Sequence, residues 1–378
     1  MTSAFDRAPA GRTRSGGNRL IGLDVARAVA LFGVVLMNFH GTISYPNQME
    51  FPGSFIDRLF DVRTGVLSTR FAAAFVVVAG IGVTLLTDSA RVHPHRRTTI
   101  EMRLRLVRRG SVLLLSGYLL DMAWPGTILF HYGAFFIIAA FIFQLRTVHL
   151  ILIGVANVAA TLAVSTWRWS RFLDGDGTEW VSPSNIESLQ DFLARTFLGY
   201  THPVFPWMSF LIGGMICGRY IEHFSSRRRR ITVTAAAIAV ATYLIVSIVH
   251  SLGVDSHAAV HVLTSMHPDE RGFAYIVSTS SIALLAISLI FALSEKFPHH
   301  AATIVLQRAG QLSLTLYLGH VLFYYAFVRW SGWISGTGIA SSIGLAVAYW
   351  MFAIAAGSWW HHRVGPGPAE VLYRRLGG

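Results

Sequence analysis

Residues 23–40 read LDVARAVALFGVVLMNFH. The stretch is mostly apolar and, with the residues before it, long enough to cross a bilayer, which takes about 20 residues of helix. Yet it carries Asp24 and Arg27 near one end and Asn38 and His40 near the other. Asp24 and Arg27 are three apart, so they share a helix face and can pair. A pair costs less inside lipid than a lone charge. It either pins the helix to a neighbour or shapes a polar cavity that opens to the cytoplasm. Asn38 and His40 lie 11 and 13 residues beyond Arg27, about 16 and 20 Å along a helix axis. His40 is either an interfacial histidine reaching water or a general base, since neutral imidazole is available near pH 7. One helix thus carries polar groups at both ends of a candidate path through the membrane.

The rest of the chain agrees with a membrane setting. Of 378 residues, 53% are hydrophobic and 13% charged, and the mean hydropathy is +0.52. The apolar residues come in long blocks instead of amphipathic stripes. The fold class expected is therefore all-α, a polytopic integral membrane helix bundle of about ten transmembrane helices, ten or eleven. The blocks fall at 20–42, 66–87, 108–123, 126–145, 147–165, 204–222, 231–252, 272–294, 308–329 and 338–360. Residues 1–19 read as a disordered basic tail, 20–364 as the bundle and 365–378 as a C-terminal tail. The largest external loop, 166–203, contains ESLQDFLARTFLGY, whose apolar residues recur at helical spacing and predict a short surface helix.

The net charge of +12 is explained by topology, with no nucleic-acid partner needed. Arginines concentrate in short links after the second and sixth blocks and in the C-terminal tail, which places both termini in the cytoplasm. The location expected is the inner (plasma) membrane, with the lipid bilayer as a partner. Cys217 is the single cysteine, so no disulfide forms within the chain. His257, His261 and His267 read as loop histidines, and no metal is expected. No P-loop, dinucleotide-binding glycine pattern or nucleophile elbow occurs.

Several stretches together resemble a known family. Leu23-Asp24-x-x-Arg27-Ala28 followed by Asn38 is similar to the Leu-Asp-x-x-Arg-Gly…Asn signature of the YeiB-like membrane proteins, the domain-of-unknown-function-418 group. These are related to the heparan-α-glucosaminide N-acetyltransferases in a transmembrane acyltransferase superfamily. ILFHYGAFF (128–136), HPVFPWMSFLIGGMICGR (202–219), GQLSLTLYLGH (310–320) and GPGPAEVLYRRL (365–376) resemble further family elements in the family's order. The resemblance implies transfer of an acyl group from cytoplasmic acyl-CoA, acetyl-CoA in the related enzymes, to a hydroxyl or amine of an extracytoplasmic glycan or glycolipid. The family's catalytic asparagine matches Asn38. Its catalytic histidine lies in the first external loop, where this chain has no histidine between residues 41 and 91. His40 is the nearest substitute, and Ala28 replaces a family glycine.

Acyl transfer from a thioester needs a base for the acceptor and donors for the developing oxyanion. The catalytic set expected is His40, Asn38, Asp24 and Arg27, with direct transfer and a transient acyl-histidine both open. Phosphates of the CoA head need cations on the cytoplasmic side. Arg105, Arg108 and Arg109 meet that need, or else serve topology and lipid headgroups. His131, Tyr132, Trp207 and His320 are expected on the acceptor side if the helices converge. A proton-coupled transporter or exporter is the alternative for a bundle with charges in its spans, although no internal repeat is evident. A homo-oligomer is left open.

Overall fold

The computed structural model describes residues 13–44, 55–62, 65–253, 257–333 and 338–378. Residues 1–12, most of the expected basic tail, lie outside them. Among the described residues the chain is all-helical. In order, the helices are α1 (Thr13–Ser44), α2 (Phe55–Phe60), α3 (Arg70–Val92), α4 (Arg96–Asp121), α5 (Leu129–Ile142), α6 (Thr147–Leu173), α7 (Leu189–Phe197) and α8 (Val204–Arg219). They continue with α9 (Ile221–Ser251), α10 (Ala258–Thr264), α11 (Phe273–Lys296), α12 (Ala301–Gln311), α13 (Ser313–Tyr324), α14 (Gly338–Arg363) and α15 (Pro368–Gly377). A π-helical segment, Tyr325–Trp330, extends α13.

The expected apolar blocks fall on helices, with 308–329 split between α12 and α13, but the blocks are not equivalent. Six helices, α1, α3, α6, α9, α11 and α14, are long and apolar enough to cross a membrane. A seventh crossing results if α12 and α13 with its π-helical extension count as one span bent by 83°. Helices α5 and α8 are apolar but hold only 14 and 16 residues, about 21 and 24 Å of helix. Helix α4 has a basic first half, with Arg96, Arg97, Arg103, Arg105, Arg108 and Arg109.

Helix α1 sits at the centre and packs on α3, α11, α12, α13 and α14. Buried residues make up 61% of the apolar window in both α1 and α3, against 17% in α6 and α9. The first two therefore form the core and the last two the periphery. One close backbone contact is that of α3 with α8. A Cβ on Gly214 would stand 2.0 Å from the Val77 carbonyl oxygen, and one on Gly80 would stand 2.1 Å from that of Leu211. Small residues let helix backbones close to this distance where lipid offers no hydrophobic drive for association. The outer helix expected within 187–200 is α7, started by Ser188, whose hydroxyl accepts from the Asp191 amide at 3.1 Å.

The α3–α8 contact leaves no room for a side chain at position 214. Gly214→Leu is expected to cost about 3 kcal/mol or more, read as a fall in the unfolding temperature of detergent-solubilised protein. Gly213→Leu, at a glycine with nothing within 4 Å, is expected to leave that temperature nearly unchanged.

Candidate functional site

The four polar residues of α1 meet four different surroundings. Arg27 donates to Asp24 at 2.9 Å, the pair that the spacing of three predicted. Gln311, at the end of α12, donates to the other Asp24 oxygen at 3.1 Å. Asn38 lies 3.1 Å from Nε2 of His320 on α13. His40 is buried and lies 3.4 Å from the Ser342 hydroxyl on α14. Asn38 and His40 therefore have different partners. Residues two apart on a helix do not face each other, and Asn38 finds its imidazole 282 residues away.

The bonds around His320 fix its state. Its Nδ1 donates to the Tyr317 carbonyl oxygen one turn back on α13. That leaves Nε2 as the lone-pair nitrogen, which accepts from the Asn38 amide. His320 is fully buried, and its ring is boxed by Phe39, Trp124, Tyr317 and Tyr349 at centroid distances of 5.0–6.4 Å. The result is a neutral, oriented imidazole with one basic nitrogen held by a single amide.

A cavity of about 390 Å³ leads toward this pair. Its wall on α3 runs from Leu86 to Phe75, about 16 Å of helix. Arg27 lies level with Gly82, where a Cβ would stand 3.6 Å from its guanidinium. Tyr132 lies level with Phe75, ring centroids 5.7 Å apart. The Arg27 end and the Tyr132 end are therefore about 10 Å apart along α3. Arg27, Arg109 and Arg374 supply cations to the lining. At the far end Tyr317 bonds Thr127 at 3.0 Å, and His320 follows one turn beyond it.

Of the expected cations, Arg109 lines the cavity, with its guanidinium 5.6 Å from the centre of the Tyr373 ring. Arg108 is exposed and Arg105 half-buried, and neither is part of the lining. The stretch 365–378, read as a tail, docks on α4 and α13 as helix α15. Pro368 begins it, a favoured first helical residue. It brings Glu370, Tyr373 and Arg374 to the cavity. Buried Glu370 accepts from the Leu314 and Thr315 amides at 2.7 and 3.1 Å and from the Thr315 hydroxyl. A carboxylate from another helix thus caps the start of α13, the helix that carries Tyr317 and His320. The spacing from Glu370 to Arg374 in the C-terminal motif was the signal for these residues, but the excess of arginine in that tail was equally explained by topology.

His131 and Trp207 do not gather around His320. His131 lies 3.3 Å from the Arg195 carbonyl oxygen, with the Tyr200 and His202 rings beside it. Arg195 and Asp121 form an ion pair there, and the Arg195 guanidinium stacks 3.6 Å from the centre of the Tyr200 ring. Trp207 is 1% exposed, edge-on to His202 and Phe210, and has no face open to a sugar. Tyr132, next to His131 in sequence, turns the other way and lines the cavity. Of the loop histidines, His261 stacks on Trp169 and bonds Glu270 at 2.8 Å.

Two outcomes follow from this geometry. Glu370→Ala is expected to destabilise the protein by about 1–2 kcal/mol through loss of the cap. It should also speed hydrogen exchange of the Leu314 and Thr315 amides, with little change in α6. Burial first, then the neighbouring His131 and Arg271, hold the His202 pKa well below 6.5. The unfolded chain then takes up a proton below pH 6.5 that the folded chain refuses, so stability is lost as pH falls from 6.5. Unfolding temperatures measured from pH 7.5 to 5 should show this loss, and His202→Phe should remove about one proton from the linkage.

Comparison with known families gives two matches. Residues 219–377, which include α13 and α15, match a protein family of unknown function, DUF418. Residues 19–254, which include α1, α3, α4 and α5, match the family described as heparan-alpha-glucosaminide N-acetyltransferase, catalytic. A search of curated proteins finds no match. The second family covers more than half of the chain, and the chain belongs to it, as a YeiB-like member with a DUF418 C-terminal part.

Proposed function

We propose that this protein transfers an acetyl group from cytoplasmic acetyl-CoA to a hydroxyl or amine of an extracytoplasmic glycan or glycolipid. The observation that carries the reading is the neutral His320 imidazole, its Nε2 held by Asn38 one turn beyond a cavity with three guanidinium groups in its lining. Membership of an N-acetyltransferase family supports the chemistry. In this reading the chain crosses the inner membrane ten times with both ends in the cytoplasm. The cavity opens inward, and His131 with its neighbours lies outward.

Each part of the geometry has a task. Arg109, Arg374 and Arg27 provide cations for the phosphates of the CoA head. The apolar wall of α3 takes the extended arm, so that the thioester reaches the Tyr317 end. There the acceptor oxygen or nitrogen attacks the carbonyl carbon, and His320 Nε2 takes the acceptor proton. The C–S bond breaks as the carbonyl re-forms, and the same proton passes to the departing thiolate. The Tyr317 carbonyl holds the ring in the tautomer this requires, as the third member does in other nucleophile–base pairs. Asn38 hands Nε2 to the incoming acceptor and orients it. His320 thus takes the role expected of His40, whose ring lies against α14.

The test uses purified protein in lipid nanodiscs with acetyl-CoA, following thiol release and ligand binding. His320→Ala is expected to lower thiol release by about 100-fold or more, with acetyl-CoA still bound. Arg109→Ala is expected to raise the KM for acetyl-CoA about tenfold, the effect of losing a charge-assisted bond, while kcat holds. His40→Ala should retain most of the activity. Absence of acetyl-CoA binding by the intact protein, or turnover indifferent to His320, overturns the reading.

A further inference from the structure

We propose that the Tyr132 hydroxyl is the hydrogen-bond donor to the thioester carbonyl oxygen of the acyl donor, an assignment that rests on the cavity being the acyl-CoA site. Tyr132 is 6% exposed, and its hydroxyl oxygen is buried without a partner among the described residues. A buried hydroxyl left unpaired costs about 1–3 kcal/mol, and native proteins rarely keep one without a use. Three other tyrosines near it have partners in the protein, and Tyr373 lines the cavity at its Arg109 end. Tyr317 bonds Thr127, Tyr349 donates to the Leu316 carbonyl, and Tyr325 donates to that of Ala123 at 2.5 Å. Tyr132 lines the cavity with an unspent donor.

Its place suits the carbonyl rather than the CoA head. Phe75, Phe135 and Phe136 pack around its ring at 5.7–6.2 Å and hold the phenol rigidly at the apolar end, about 10 Å above the Arg27 level. A donor fixed in a dry, apolar setting costs no reorganisation when charge develops on the oxygen it faces. As the acceptor attacks, the carbonyl π pair moves onto oxygen. It returns when the C–S bond breaks. The Tyr132 proton stays on Tyr132 throughout and only strengthens its bond to the oxyanion.

Two ligands isolate that bond. Acetyl-CoA has the carbonyl, whereas S-ethyl-CoA, a thioether of nearly the same shape, lacks it and keeps every other group. In nanodiscs, the intact protein is expected to bind acetyl-CoA about fivefold more tightly than S-ethyl-CoA. Tyr132→Phe should bring that ratio to about one with the S-ethyl-CoA affinity unchanged. Replacing Tyr132 with 3-fluorotyrosine, which keeps its shape and has a more acidic phenol, should widen the ratio and keeps the question answerable if the Phe variant fails to fold. A ratio that neither substitution moves, or equal losses for both ligands, overturns the assignment while the acyl-CoA site stands. Failure of the intact protein to bind either ligand overturns the site reading and this assignment with it.

Discussion

A polar group withdrawn from water inside a membrane must find its partner within the protein, and the architecture turns on how α1 meets that demand. Asp24 is answered from α12, Asn38 from α13 and His40 from α14. Arg27 pairs with Asp24 and borders the cavity. Each answer ties the first long helix to a segment near the other end of the chain. An apolar helix can slide or rotate against its neighbours at little cost. A helix whose amide must reach one imidazole nitrogen cannot, and so the Asn38–His320 bond sets the register of α1 against α13.

The Glu370 cap extends the same constraint. The break between α12 and α13 leaves the first amides of α13 without helical acceptors, in a setting where an unpaired amide is expensive. Glu370 supplies both oxygens from α15. The position of His320 therefore depends on the docking of α15, which also delivers Arg374 and Tyr373 to the cavity. The placement of Arg374 and that of His320 are mechanically one unit. This explains in physical terms why residues outside the apolar blocks belong to the site.

What the sequence disclosed follows the range of the interaction. The apolar blocks, the i,i+3 pair of Asp24 and Arg27 and the surface helix α7 are local, and all were legible. The partner of Asn38 was not, because nothing local distinguishes His320 from the fifteen other histidines. Helical geometry alone argued against His40, since an offset of two residues turns side chains to different faces. Arg374 was obscured for a different reason. In a basic membrane protein every cytoplasmic arginine already has an explanation in topology, so charge alone does not single out a binding residue. The short length of α5 was visible only after its ends were fixed by the Trp124-Pro125-Gly126 turn and by the start of α6.

That shortness bears directly on how an acyl group would cross. Consecutive residues on a helix point about 100° apart, so His131 and Tyr132 look to different sides of α5. His131 joins Tyr200, His202 and Arg195, while Tyr132 closes the cavity that Arg27, Arg109 and Arg374 border. The two polar regions are thus separated by little more than the thickness of one helix. With α5 only about 21 Å long and the α12–α13 segment bent by 83°, the path between the two regions would be short. An acyl group delivered to Tyr132 would then need no carrier motion across the bilayer. It would change from sulfur to the acceptor atom within reach of one imidazole, and the rest of the donor would stay on the side from which it came.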